Sequence, residues 1–310
     1  MEFFSRVTRT WFDSNFKAPT RVQREGWPQL AQAKNALLLA PTGSGKTLAA
    51  FLWAIDRLGR LPDDAPPGVR VLYVSPLKAL VYDVERNLRA PLTGIRRFAE
   101  KLNEKVRSVQ VDVRTGDTPA RDRRRRVKDP ADILVTTPES LFLILGSQAA
   151  ATLRSVHTVI VDEIHAFAPS KRGVHLTLSL ERLEALTANP PQRIGLSATV
   201  RPYEEAARFL AGQRDVAVVD ASEPAHVDLS VVLPQPVKAE ALEKERPDGP
   251  IPGRHSAAKK RRSSVKSLTQ NASLHRQVLE AIREHRSTIV FVNARGQAER
   301  LAQQMKCLLY

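Results

Sequence analysis

Short apolar runs recur along the chain at residues 36–40, 69–74, 106–113, 133–135, 156–161, 193–196 and 216–219. They are rich in Val, Ile and Leu, with little polar alternation. That is the pattern of strands buried on both faces. Between them lie helix-length stretches at 47–59, 78–100, 174–188 and 202–210. Strand–helix alternation predicts an α/β fold, a mostly parallel sheet covered by helices on both faces. Ahead of it, residues 1–34 read as two short amphipathic helices broken near Pro19, with Trp11 and Trp27 in their apolar patterns. Trp53 sits likewise in the 47–59 stretch, and all three tryptophans are expected in the core.

The pattern stops at residues 235–272, which are rich in proline, poor in large apolar side chains and carry Lys259-Lys260-Arg261-Arg262. This segment reads as a flexible basic linker. A helix near 273–285, a strand at 288–292 and a helix from Arg295 then follow. The expected organisation is 1–34 N-terminal helices, 35–234 main domain, 235–272 linker, and 273–310 the start of a second domain. The last piece is too short for a core of its own. It is expected to dock on the main domain or to belong to something longer.

Composition sharpens this picture. Among 310 residues, 48 Lys and Arg against 33 Asp and Glu give a formal charge of +15. The excess points to a polyanion, nucleic acid before an anionic membrane. Apolar residues at 42 % suffice for a real core. Cys307 is the sole cysteine, which excludes an intrachain disulfide or Cys-based zinc site. No apolar run reaches the roughly 18 residues of a membrane span. Glu2, Arg6, Arg9 and Asp13 leave no apolar signal core at the start. A cytoplasmic protein without a membrane partner is expected.

The chemistry concentrates at two places. Ala40-Pro41-Thr42-Gly43-Ser44-Gly45-Lys46-Thr47 follows the first apolar run and opens a helix. Gly43 and Gly45 allow a tight turn whose N–H groups point inward, so that Thr42 to Thr47 can cradle phosphates at a helix N-terminus. Lys46 would reach the outer phosphates of ATP, and the Thr47 hydroxyl would ligate Mg²⁺. The strict form of this motif begins with Gly where Ala40 stands.

Further on, Val159-Ile160-Val161 runs into Asp162-Glu163-Ile164-His165. Carboxylates at the end of a buried strand sit where open α/β sheets bind ligands. Asp162 can hold Mg²⁺ through water opposite Thr47, and Glu163 can orient and deprotonate an attacking water. His165 could couple this site to neighbouring loops. Ser197 and Thr199, in Ser197-Ala198-Thr199 after another strand, could bond His165 or Asp162.

Taken together, these blocks resemble superfamily 2 DExH-box helicases, specifically the large helicase-related (Lhr-like) proteins. Phe16-x-x-Pro19-Thr20-x-x-Gln23 resembles the adenine-reading Q motif, implying that Gln23 contacts the base. Ala40–Thr47 is similar to motif I, Asp162–His165 to motif II and Ser197–Thr199 to motif III. Ser75-Pro76-Leu77-Lys78, Arg114-Thr115-Gly116-Asp117-Thr118 and Thr137-Pro138-Glu139-Ser140 resemble strand-binding loops. Ile289 to Arg295 resembles motif IV of a second RecA-like domain. The resemblance implies a RecA-like P-loop domain with ATP and Mg²⁺ as cofactors. It implies a motor on single-stranded DNA that opens DNA and RNA–DNA duplex junctions in DNA repair.

The binding loops agree with that reading. Ser75, Pro76, Lys78, Arg114, Thr115, Gly116, Thr137 and Pro138 follow successive strands and offer hydroxyls, backbone N–H groups and charge to phosphate oxygens. Arg121 and Arg123 to Arg126 form a basic run behind them, either touching phosphate or solvated.

The resemblance also implies a second RecA-like domain supplying an arginine finger. The sequence holds no Gly-Arg-x-x-Arg-like segment after motif IV. The chain alone is therefore expected to bind Mg-ATP and nucleic acid with little turnover, and a separate chain could supply the missing half. The alternatives are a non-enzymatic nucleic-acid-binding remnant and a P-loop ATPase that does not act on nucleic acid.

Overall fold

The structure, a computed structural model, describes residues 1–198, 200–222, 228–233 and 274–309. The chain divides into two units, Met1–Ala225 and His226–Tyr310. Thr199 and the Lys259–Arg262 run lie outside the described residues, as does the whole of 235–272.

The first unit is built on seven strands: β1 (Asn35–Leu39), β2 (Val71–Val74), β3 (Val111–Arg114), β4 (Ile133–Thr136), β5 (Thr158–Val161), β6 (Gln192–Ser197) and β7 (Val216–Asp220). They form one sheet in the order β3-β4-β2-β5-β6-β1-β7, and every pairing is parallel. The expected run at 106–113 yields a strand only from Val111, because an edge strand pairs on one side and here extends only as far as β4 does.

Parallel strands need covered faces, and strand side chains alternate between two cores. On β1, Ala36 and Leu38 point to one core and Leu37 and Leu39 to the other. The first core is closed by α1 (Arg6–Asn15), α2 (Arg21–Ala31), α3 (Lys46–Gly59) and α4 (Lys78–Leu102). Trp11, Trp27 and Trp53 are all buried there, and the Trp27 indole donates to the Ala49 carbonyl at 3.0 Å. The second core is closed by α6 (Pro138–Leu145), a 3₁₀ turn (Gln148–Leu153), α7 (Ile164–Phe167), α8 (Lys171–Leu186) and α9 (Tyr203–Ala211). A ninth helix of this unit, α5 (Ala120–Lys128), has no buried residue.

In the second unit, residues 274–284 and Arg295–Leu309 are helical. The strand expected at 288–292 is absent: these residues have no regular structure, with Ile289 80 % and Phe291 89 % exposed. A parallel strand is held by its neighbours, and no other strand occurs among the described residues of this unit. Among the described residues no helix is long and apolar enough to cross a membrane.

Candidate nucleotide site and nucleic-acid track

Strand order places the candidate residues. Because all strands run the same way, the loops after their C-terminal ends share one edge of the sheet. The C-terminal ends of β5, β6 and β1, with the loops that follow, carry Asp162–Glu163, Ser197 and Ala40–Thr47, and these three strands are neighbours. The C-terminal ends of β3, β4 and β2, with the loops that follow, carry Arg114–Thr118, Thr137–Pro138 and Ser75–Lys78, and these too are neighbours. One edge thus carries the candidate nucleotide residues on one half and the candidate track loops on the other, adjoining between β2 and β5.

The phosphate loop turns through positive backbone angles at Gly43 (φ 82°) and Gly45 (φ 88°), where a Cβ would be strained. The space beside them differs. A Cβ on Gly43 would meet nothing within 4 Å, leaving room for an incoming group. A Cβ on Gly45 would lie 2.7 Å from Gln23 Nε2. Lys46, the first residue of α3, folds its ammonium back to donate to the carbonyls of Ala40 and Pro41, the latter at 2.9 Å. Burial pulls the Lys46 pKa down, while Glu163 and Asp162 push it up. That influence places both carboxylates within electrostatic reach of the loop. Ser44 Oγ is buried without a partner, a donor still to be satisfied. Thr42 is exposed and Thr47 is part-buried in the first turn of α3.

Asp162 is 9 % exposed. Its Oδ2 accepts from the Tyr73 hydroxyl on β2, and its Oδ1 accepts from the Glu163 backbone N–H at 2.9 Å. Burial pushes the Asp162 carboxyl up; Tyr73, the Glu163 N–H, Lys46 and His165 all oppose that shift. Tyr73 is itself pushed far above the ordinary phenol range, first by burial and then by Asp162. It stays a neutral donor at any working pH. Glu163 occupies the left-handed region (φ 51°, ψ 49°) as the cap of α7, a conformation costly for a residue with a Cβ. The turn brings Glu163 Oε2 to 3.3 Å from His165 Nδ1. The same nitrogen lies 3.0 Å from Ser197 Oγ. The acidic pair is therefore linked to the end of β6 through His165.

The residues present suit a nucleotide with a divalent ion. Among the described residues no three His, Cys, Asp or Glu side chains gather as a metal cluster. An ion held by Thr47 and Asp162 would thus complete its shell with water and phosphate oxygens, the usual habit of Mg²⁺. Gln23 is 3 % exposed. Its Oε1 accepts from the Thr20 N–H at 3.0 Å and its Nε2 donates to the Gly45 carbonyl at 3.3 Å. Here it braces the phosphate loop from behind.

On the track half, Ser75, Thr115 and Thr137 are buried, and Ser75 Oγ has no partner. Thr115 and Thr137 pin their own turns: the Asp117 N–H donates to Thr115 Oγ1, and Thr137 Oγ1 bonds Ser140 Oγ at 3.2 Å. Lys78, read as a point charge for phosphate, is paired with both Asp117 oxygens at 2.8 Å. That bond ties the β2 loop to the β3 loop. Gly116 is open to solvent, Pro138 starts α6, and Arg114 ends β3.

Two residues went unnoticed in the sequence. Tyr73 is one. The other is Arg172 in the first turn of α8, whose Nε donates to Glu139 Oε1 at 2.6 Å and whose Nη2 donates to the Pro76 carbonyl at 3.0 Å. Its guanidinium also lies 5.8 Å from the centre of the Phe167 ring on α7. Arg172 thus joins two track loops to the helix that follows Glu163. Burial is the largest single influence and raises the Glu139 carboxyl, but the Arg172 bond and charge, a backbone N–H and Thr137 together outweigh it and hold the group below its usual value.

Comparison with known proteins shows the family and the fold. A profile of the DEAD/DEAH box helicase family matches residues 20–207. The chain is 49 % identical over 305 residues to an Lhr helicase/probable uracil glycosylase of Mycolicibacterium smegmatis, covering 97 % of this chain and 18 % of that protein. It is 45 % identical over 310 residues to the Lhr helicase/uracil glycosylase of Escherichia coli, covering 98 % and 20 %. The chain therefore spans about a fifth of the length of these curated relatives. Among solved structures, that of Mycobacterium smegmatis helicase Lhr bound to ssDNA and AMP-PNP superposes with a TM-score of 0.78 at 49 % identity, covering 98 % of this chain and 36 % of the other.

Proposed function

Because this chain belongs to the DEAD/DEAH box helicase family, we propose that its first unit is the ATP-gripping half of a motor that moves on single-stranded DNA and opens DNA and RNA–DNA duplex junctions. DNA repair in the cytoplasm is the setting this reading implies. The observation that carries it is the shared sheet edge. The loop of Lys46 and the pair Asp162–Glu163 follow β1 and β5, on either side of β6, and both carboxylates push the Lys46 pKa up; the track loops continue that edge on the next three strands.

In this reading ATP supplies the free energy through cleavage of its terminal phosphate bond. Lys46 lets go of the Ala40 and Pro41 carbonyls and turns its ammonium to the phosphates. Thr47 and Asp162 hold Mg²⁺. Glu163 orients a water and takes its proton. His165 and Ser197, with Thr199, pass the state of the acidic pair to β6. Gln23 carries the presence of a base to Gly45. Ser75, Pro76, Lys78, Arg114, Thr115, Gly116, Thr137 and Pro138 hold the sugar–phosphate backbone without reading sequence. The likeness to a helicase solved with single-stranded DNA and a nucleotide analogue supports both ligand assignments.

An arginine finger raises related phosphoryl transfers by about 10³–10⁵. We assign that role to a second RecA-like domain, which residues 273–310 begin and another chain could complete. The 310 residues assayed alone should then bind Mg-ATP but hydrolyse it slowly. Incubating the purified chain with ATP, Mg²⁺ and single-stranded DNA tests this. Tight nucleotide binding with weak turnover, both lost in Lys46→Ala, is expected. Nucleotide binding that survives in Lys46→Ala rejects the site, and DNA binding with no nucleotide binding at all favours a non-enzymatic remnant.

A further inference from the structure

The basic run behind the track is two sets of side chains with different jobs. Six of the nine residues of α5 are Arg or Lys. Arg123 is bonded inward, donating to the Thr118 carbonyl at 2.8 Å and the Gly116 carbonyl at 2.9 Å. Arg126 donates to the Val113 carbonyl and pairs with Asp112 at 3.1 Å. These two fasten the helix to β3 and to the loop that follows it. Arg121, Arg124, Arg125 and Lys128 are exposed, and their side chains make no hydrogen bond or ion pair among the described residues. Their spacing of three, four and seven puts them on one face of the helix. Asp122 is the helix's sole acidic residue.

We propose that this stripe is a second nucleic-acid surface that grips the phosphate backbone of duplex, beyond the single-strand track. It deepens the nucleic-acid reading above and rests on it. Seven rises of about 1.5 Å from Arg121 to Lys128 make a row of about 10 Å, matching about three phosphate-to-phosphate steps along one strand at roughly 3.4 Å of axial rise. Single-strand platforms use aromatic rings for stacking, and α5 has none. A rigid row of cations without rings suits stacked, paired bases, where only the backbone is on offer. The row starts directly after the Arg114–Thr118 loop, so duplex held here would adjoin the track.

The test is fluorescence anisotropy of a labelled blunt duplex and a labelled single strand over a series of salt concentrations. The variant carries Arg121→Ala, Arg124→Ala, Arg125→Ala and Lys128→Ala; alanine favours the helix, and circular dichroism checks that it persists. A charge-matched variant with Arg9→Ala, Lys17→Ala, Arg86→Ala and Arg97→Ala serves as control. The stripe variant should bind duplex at least tenfold more weakly at low salt, with the slope of log affinity against log salt reduced by about 2–3. Its affinity for single strand and for nucleotide should hold, and the control should lose far less. An unchanged duplex slope overturns the proposal, as does an equal loss on single strand. If instead the unaltered chain binds neither single strand nor nucleotide, the motor reading fails, while the duplex slope still judges the stripe.

Discussion

The Tyr73 hydroxyl on β2 donates to Asp162 at the end of β5, crossing between adjacent strands that lead to the two halves of the functional edge. The donor sits on the strand that leads into the Ser75–Lys78 loop, and the acceptor is the carboxylate assigned to Mg²⁺. The phenol ring is locked by stacking on Phe51, with centroids 5.0 Å apart. The hydroxyl therefore has little freedom to follow Asp162 if the carboxylate moves.

Replacing Tyr73 by Phe keeps the ring and removes the anchor. Mg-nucleotide affinity should fall about threefold to tenfold, the worth of a ~1 kcal/mol hydrogen bond. Nucleotide binding in EDTA should not change. Titrating a fluorescent ATP analogue across a range of Mg²⁺ concentrations checks this, and an unaltered Mg²⁺ dependence would remove Tyr73 from the site.

Glu163 is held in a conformation that glycine adopts freely. Glu163→Gly should raise the thermal midpoint by about 2–4 °C, what ~1 kcal/mol of relieved strain gives a domain of this size, while ending any turnover. Glu163→Gln should lose turnover without that gain. Differential scanning calorimetry of both variants separates strain from chemistry.

Arg172 links the Pro76 and Glu139 loops to the segment after Glu163. Arg172→Ala leaves both binding sites intact but cuts the strut between them. Half-exposed ion pairs add little stability, so the midpoint of unfolding should move by under ~1 kcal/mol equivalent. The factor by which nucleotide changes single-strand affinity should shrink toward one, and Arg172→Lys should restore it only in part because lysine lacks the fork. Isothermal titration with and without nucleotide reads that factor.

His157, next to β5, is pulled down to about 4, first by burial and then by Arg57 and Arg70. Its ordinary value is 6.5. Above 6.5 neither state is protonated and nothing is lost. As pH falls from 6.5 toward 4, the unfolded chain takes up a proton that the fold refuses. Stability should drop through that window by at most roughly 3 kcal/mol. His157→Gln should flatten the curve there, as urea unfolding at stepped pH would record.

What the sequence disclosed follows from distance along the chain. The Gly43–Lys46 turn and the Asp162–Glu163 pair are legible because each packs its chemistry into a few consecutive residues beside an apolar run. Tyr73 and Arg172 were not, since their meaning lies in contacts 89 and 96 residues away. Nothing local distinguishes Tyr73 from its apolar neighbours. Strand existence was readable from runs of Val, Ile and Leu, but strand order was not, and order is what divides the edge into two sites. Residues 288–292 show the limit from the other side. Their apolar run is strand-like by itself, but pairing is a property of neighbours, and Phe291 is left exposed. Within α5 the basic run was visible, while its division into bonded and unbonded cations required coordinates.

The central claim is that the Lys46 loop and the Asp162–Glu163 pair form one nucleotide site that governs the adjoining track. The most direct test is the affinity of this chain for single-stranded DNA with and without a Mg²⁺-bound non-hydrolysable ATP analogue, repeated on Lys46→Ala. The account predicts that nucleotide shifts the affinity severalfold in the unaltered chain and leaves Lys46→Ala unmoved. Identical DNA affinity in the unaltered chain at zero and saturating nucleotide would contradict it.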